Sequence, residues 1–218
     1  RNDVWSIHDI EHATLRVAPD STYKIYDALF GLEEGVITPQ DSFIAWNGEN
    51  YPFEAWNADQ TLQSAMTSSV NWYFQSIDEQ LASTNIYNYI QQIGYGNENV
   101  SGDLSTYWLE SSLKISPVEQ VELLMKLQNN SLGFSSENIN AVKDSICLSS
   151  SNTGKFYGKT GTGRVGGQDV NGWFIGYIEI VNNIYFFATN IGADNNATGS
   201  NAAEITMSIL SDMNIWTQ

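Results

Sequence analysis

The feature that most restricts this chain is a charge on a helix face that should be buried. From Ser21 onward, Ile25, Ala28, Leu29 and Leu32 recur at helical spacing, and Lys24 adjoins the same face. A lysine there must either snorkel to water or find partners that hold it in the core. Ser21 lies three residues earlier, one turn away on the same side, so the Lys24 amine can reach its hydroxyl. A free lysine is neutral only about once in two thousand at pH 7; burial lowers its pKa by several units and yields a base able to take a serine proton. Pro19-Asp20 suits an initiating turn, and the helix N-terminus puts a positive dipole end beside Ser21. Alone, Ser-x-x-Lys is a weak pattern, better accounted for by a capping serine and a snorkelling lysine.

Two further patterns occur later in the chain. Ser69-Val70-Asn71 lies on a predicted helix from about Leu62 to Ala82, among aromatic residues. There Ser69 can relay a proton and Asn71 can hold an amide, although a buried serine and asparagine bonded to backbone would look the same. Lys159-Thr160-Gly161-Thr162-Gly163 lies on a predicted strand leading into a hairpin. Its glycines let a flat substrate approach the backbone, and the strand edge can pair with a peptide-like amide. Lys159, the Thr160 and Thr162 hydroxyls and Arg164 are candidates for binding a carboxylate, because no Lys or Arg occurs after Arg164. Ser-x-x-Lys, Ser-x-Asn and Lys-Thr-Gly in this order form the set found in penicillin-interactive serine enzymes. The joint occurrence carries far more weight than any single motif.

Around these motifs the chain reads as a helical middle with a sheet at its ends. Val4 to Ile7 is a candidate strand. Further helices are expected around Ile86 to Ile93, from Val118 to about Gln128 with Ser116 as N-cap and Pro117 in the first turn, and from Ser200 to Met213. Phe156 to Thr160, Gly172 to Ile180 and Ile184 to Asn190 have strand composition, and Asn182-Asn183 suits a tight hairpin turn. Asp41 to Asn57, rich in Trp, Asn, Tyr and Pro, reads as irregular. We expect one domain over residues 1–218, an α+β unit with sheet from about 1–20 and 155–218 and a helical lobe from about 40–150.

Charge excludes some functions. Twenty-five acids against nine bases give a formal charge of −16, which would repel phosphate backbones and anionic lipid, so no nucleic-acid role is expected. Cys147 is the single cysteine, and His8 and His12 lack partners at metal-ligand spacing, so no metal site is expected. No run approaches the roughly 18 apolar residues that cross a bilayer. The chain opens without a signal pattern, so any targeting part would lie outside it.

The chain resembles class D penicillin-recognising domains along nearly its whole length. Tyr95-Gly96-Asn97 matches that class's Tyr-Gly-Asn motif. Tyr107-Trp108-Leu109-Glu110 matches the segment whose tryptophan packs near the active-site lysine, and Asn171 to Tyr177 matches the strand after Lys-Thr-Gly. Within the class it is most similar to the extracellular sensor domains of the BlaR/MecR-type β-lactam-sensing signal transducers. The stretches Ser21 to Tyr26, Tyr51 to Asn57, Ser69 to Phe74 and Tyr157 to Gly163 carry this resemblance. It implies a penicillin-binding, β-lactamase-like fold with an antiparallel sheet flanked by helices and an all-helical lobe. It implies Ser21, Lys24, Ser69 and Lys159 as catalytic residues, with Asn71, Thr160, Gly161, Thr162 and Trp108 contacting or lining the substrate site. Class D lysines are commonly carboxylated by carbon dioxide, so Lys24 is a candidate for N-carboxylation, with no other cofactor. In the sensors a polar residue at the position of Asn71 is associated with loss of that group after acylation. The implied function is a sensor acylated by penicillins and cephalosporins to give a long-lived acyl-enzyme that signals induction of resistance; the alternative is a class D β-lactamase that hydrolyses them. The implied partners are β-lactam antibiotics and the membrane-embedded remainder of the same chain. The implied place is the extracellular face of a bacterial membrane, or a secreted form under the alternative.

Overall fold

A computed structural model describes residues 4–216. In chain order the elements are α1 (Ile10–Thr14), α2 (Lys24–Glu33), α3 (Leu62–Thr67), α4 (Asn71–Gln80), α5 (Ser83–Ile93), α6 (Pro117–Gln128), α7 (Ser136–Ser145), β1 (Cys147–Ser150), β2 (Gly154–Val165), β3 (Gln168–Ile180), β4 (Asn183–Gly192) and α8 (Gly199–Asp212). The four strands form one antiparallel sheet in the order β1-β2-β3-β4. Helices α2 to α7 make the lobe on one side, and α8 covers the other face.

Local chemistry accounts for much of this. Ser116 caps α6 and Pro117 opens it, as the sequence leads one to expect, and Glu119 completes a capping box with Ser116. The β3–β4 turn places Asn182 at φ +67°, a backbone conformation asparagine tolerates. The period-two alternation of β2 and β3 sends Tyr157, Lys159, Trp173, Ile175 and Tyr177 towards the helical lobe, while Phe156, Phe174 and Ile178 meet Ala202 and Leu210 of α8. Tyr157 stacks on its cross-strand partner Tyr177 with ring centroids 4.4 Å apart. β1 pairs only with residues 155–157, so from Lys159 onward the β1-side edge of β2 is open.

Three expectations change. The candidate strand Val4 to Ile7 is absent, and residues 4–20 add no strand to the sheet; Val4 is 87% exposed. Instead the Asp9 carboxylate accepts from the Glu11 and His12 amides and starts α1, and Val17 makes an isolated bridge to Ile115. Residues 1–3 lie outside the described residues. The expected single helix from Leu62 to Ala82 is two helices, α3 and α4, separated at Ser68–Val70 where Ser69 has φ +53°. Finally, α7 and β1 form in stretches whose residue pattern does not mark them as elements.

The lobe holds α2 close to α4. A Cβ at Gly31 would stand 2.6 Å from Ile77 Cγ2, so only glycine permits this approach. Gly31→Ala is therefore expected to destabilise by about 1–3 kcal/mol through overpacking. In an Ile77→Ala background the same change should become neutral or stabilising by up to about 1 kcal/mol, the usual gain of alanine over glycine in a helix. Urea denaturation of the two single variants and the double variant measures the cycle; additive effects would refute the contact.

Candidate active site

Ser21 sits in a 3-10 turn, Asp20–Thr22, that runs directly into α2. This turn and the first turn of α2 face the α3–α4 break and the Lys159 strand. Lys24 has no exposure to water. Its Nζ lies 3.0 Å from Ser21 Oγ, 2.7 Å from the Ser69 carbonyl oxygen, 3.1 Å from Ser69 Oγ and 2.6 Å from Asn71 Oδ1. Phe74 and Trp108 wall it, with ring centroids 5.5 and 5.4 Å from Nζ. Lys159, also buried, donates to Ser69 Oγ at 2.9 Å and to the Thr160 carbonyl at 3.0 Å.

The helix break explains the convergence. In a continuous helix the Ser69 carbonyl would be used within the helix; at φ +53° it turns to Lys24, at a strain of roughly 1–2 kcal/mol for a non-glycine residue. Asn71 becomes the first residue of α4, which directs its amide oxygen to the same amine.

The hydrogen bonds imply protonation roles. The Ser69 carbonyl and Asn71 Oδ1 are acceptors only, so two Lys24 protons go to them. A neutral amine then has its lone pair left for the Ser21 hydroxyl. Burial holds Lys24 well below lysine's ordinary pKa, and the charge of Lys159 lowers it further. Burial pushes Lys159 down to about 7. Two ammonium groups sharing one serine hydroxyl repel, so the pair loses its first proton readily, and Lys24 is the member whose surroundings suit the neutral form.

A second polar cluster holds the nucleophile's turn. Asn171 Nδ2 donates to the Ala18 carbonyl, Asp20 Oδ2 and Glu110 Oε1, each at 2.9 Å. Asp20 is buried with φ +47°, and burial followed by the adjacent Glu110 carboxylate pushes its pKa well up. Asn171 Oδ1 accepts from Asn190, whose Oδ1 contacts His12 Nε2 at 2.8 Å. Asp20, Glu110 and Asn190 were not among the sequence candidates. An acid beside the nucleophile reads as a cap or a solvated charge, and only the fold buries it.

The structure thus brings Ser21, Lys24, Ser69, Asn71 and Lys159 together. Gly161 joins them through close approach, since a Cβ there would stand 3.2 Å from the Pro19 carbonyl oxygen and 3.3 Å from the Ser21 nitrogen. Thr160 and Thr162 lie on the opposite face of β2 from Lys159; Thr162 is exposed and its Oγ1 accepts from the Gly199 amide at 2.9 Å. Trp108 is fully buried behind Lys24, with its indole N–H given to Asp78 Oδ2 at 3.1 Å, so it backs the lysine and cannot touch a substrate. Arg164 is exposed and paired with Asp169 at 2.8 Å, away from the cluster. A groove of about 870 Å³ starts at Lys159 and Thr160 and runs past Leu148 to Trp216, beside the cluster rather than over it.

An N-carboxy group on Lys24 would meet one fixed acceptor, the Ser69 carbonyl, and several groups able to donate to its oxygens: the Ser21 and Ser69 hydroxyls, Lys159 and, with its amide turned over, Asn71. The contacts present are those of a free amine.

Known proteins share both the sequence pattern and the fold. The family model described as the penicillin binding protein transpeptidase domain matches residues 9–211. Regulatory protein BlaR1 of Bacillus licheniformis is 47% identical over 212 residues, covering 97% of this chain and 35% of that protein. The chain therefore spans about a third of the length of this curated relative. Among solved structures, the C-terminal domain of the Bacillus licheniformis BlaR penicillin-receptor superposes with a TM-score of 0.92 at 46% identity, over 96% of this chain and 85% of that one. A class D β-lactamase from Bacillus subtilis gives a TM-score of 0.90 at 34% identity, over 97% and 86%.

The lysine pair makes a signed prediction. If neutral Lys24 is the base, the rate of Ser21 acylation by a fluorescent penicillin should rise with pH along a limb well below lysine's ordinary range. In Lys159→Met, loss of the neighbouring like charge should move that limb to higher pH. Stopped-flow labelling across pH measures both; a limb near pH 10 in the unmodified protein would remove Lys24 as base.

Proposed function

The chain belongs to the penicillin binding protein transpeptidase domain family and shares strong homology with the BlaR1 and mecR1 regulatory proteins, and from that premise we propose that it is a β-lactam sensor domain whose Ser21 forms a long-lived acyl-enzyme. The observation that supports this reading most is the Lys24 amine, buried and within 3.0 Å of Ser21 Oγ while Asn71 Oδ1 holds it at 2.6 Å.

In the proposed reaction, neutral Lys24 takes the Ser21 proton as Oγ attacks the lactam carbonyl carbon. A C–O bond forms, the lactam C–N bond breaks, and the ring nitrogen must gain a proton. Ser69 Oγ lies 3.1 Å from Lys24 Nζ and 2.9 Å from Lys159 Nζ, so it can pass a proton from the lysines to that nitrogen. The threonine hydroxyls of β2 are the proposed partners of the drug's carboxylate. Thr162 Oγ1 already accepts from Gly199, which leaves its O–H free to donate.

Persistence has a physical basis in the same contacts. A hydrolase turning over at about 10 per second has a barrier near 16 kcal/mol, while deacylation at about 10⁻⁴ per second corresponds to roughly 23. Loss of general-base help to water, about 10²- to 10⁴-fold, is about 3 to 5 kcal/mol of that gap. A lysine amine held by Asn71 and the Ser69 carbonyl offers such help poorly. The proposed setting is the extracellular face of a bacterial membrane, with the remainder of a longer chain as partner; relatives of this kind extend over about three times the present length.

Incubation with benzylpenicillin should add one intact drug mass to Ser21 and hold it for hours by mass spectrometry. Rapid release of penicilloate without a lasting adduct would assign the chain to the hydrolases instead. Ser21→Ala should abolish the adduct, and Lys24→Ala should slow its formation by about 10² or more. Asn71→Leu, which frees Nζ from its shortest contact, should speed deacylation measurably when bicarbonate is supplied; an unchanged rate would remove Asn71 from the account of persistence.

A further inference from the structure

Two carboxyl groups lie beneath the site and take no part in acyl transfer. Asp27 is one turn beyond Lys24 on α2, and Asp78 faces it from α4; both are completely buried. Asp78 accepts from the Tyr107 hydroxyl at 3.0 Å and from the Trp108 indole at 3.1 Å. Among the described residues, no N–H or O–H donates to either Asp27 oxygen. An ionised Asp27 would be a bare charge in the core beside a second carboxylate, a strongly unfavourable arrangement. With a proton on Asp27, the contact becomes an O–H donor to Asp78, which then receives three hydrogen bonds. Burial and then the Asp78 charge push Asp27 well up; Asp78 is raised by burial and held back by its donors. The proton therefore resides on Asp27.

We propose that Asp27 and Asp78 are positioning residues that share one proton, with Asp78 pinning Trp108 against Lys24 and the pair's single negative charge sustaining the lysine's proton affinity. The geometry is a short chain: Asp78 holds the indole N–H, and the indole ring stands 5.4 Å from Nζ. The titratable groups facing the pair are Lys24 and Tyr23 from α2 and the turn before it, Tyr73 and Glu79 from α4, and Tyr107 from the segment before α6. Lys24 is the one cation among them, and it also faces Lys159 and Asp20. Negative charge at Asp27 opposes the burial and the Lys159 charge that lower Lys24, and with the proton on Asp27 that charge sits one carboxyl farther back, on Asp78.

The test has two arms and rests on the sensor reading only in using Ser21 acylation as its reporter. Infrared difference spectra between the protein and Asp27→Asn at pH 7 should show a protonated-carboxyl C=O band lost in the variant; absence of that band overturns the proposal whatever the activity. With a fluorescent penicillin, Asp27→Asn, which keeps a neutral donor, should leave the acidic limb of the acylation profile in place. Asp78→Asn, which removes the charge, should move it to lower pH by about one unit. Equal losses of melting temperature in both variants with an unmoved limb would make the pair merely structural and overturn the proposal. Should Asp78→Asn fail to fold, the infrared band still decides. An adduct that fails to persist would overturn the sensor reading alone, because neither arm measures persistence.

Discussion

A lysine amine removed from water needs acceptors, and the active-site half of this molecule is arranged around supplying them to Lys24. Three of its four oxygen partners come from Ser69 and Asn71, and the fourth is the nucleophile itself. The demand explains a local oddity: a helix that pattern alone would run from Leu62 to Ala82 stops and restarts, with a serine in left-handed conformation between the halves. The strained backbone turns a carbonyl towards the amine and makes Asn71 the first residue of a new helix. Removal of an acceptor would leave part of a buried polar group unpaired, which is costly.

The sheet enters through one residue. Lys159 alternates onto the lobe face of β2 and shares Ser69 Oγ with Lys24, so helix and strand meet at a single hydroxyl. That sharing sets the two amines close enough for the charge on Lys159 to lower Lys24. The turn bearing Ser21 is fixed from the other side, where Asn171 of β3 binds Asp20, Glu110 and the Ala18 carbonyl. The turn bearing Ser21 is held by the sheet, and Lys24 by the helical lobe.

The same contacts bear on the fate of an acylated Ser21. The regulator's C-terminal domain and the class D hydrolase superpose almost equally well on this chain, so the fold does not separate sensing from turnover. The separation has to lie in a few groups around Lys24: Asn71 Oδ1 against Nζ, the Trp108 N–H committed to Asp78, and the carboxyl pair behind both. These are changes in hydrogen-bond partners rather than in architecture.

Much was legible in the amino-acid order. The three motifs, the α6 N-cap and its proline, the β3–β4 asparagine turn and the strand composition of β2 to β4 are short-range properties, and the structure repeats them. The fold class was legible too, because the resemblance extends over long stretches. The N-terminal strand misled because an apolar run has no preference for a sheet without a neighbouring edge, and Asp9 offered a helix cap instead. Trp108 packs against the lysine as the resemblance implies, but its burial behind the amine and the turn of Arg164 to Asp169 were not legible, because spacing does not reveal on which side of a wall a side chain falls. Sequence by itself determined which residues could carry acyl transfer and the order of most elements. Only tertiary structure decided that Ser69 and Asn71 meet Lys24 across a broken helix, and that Asp20, Asp27 and Asp78 are buried, because desolvation and partner choice depend on groups distant in the chain.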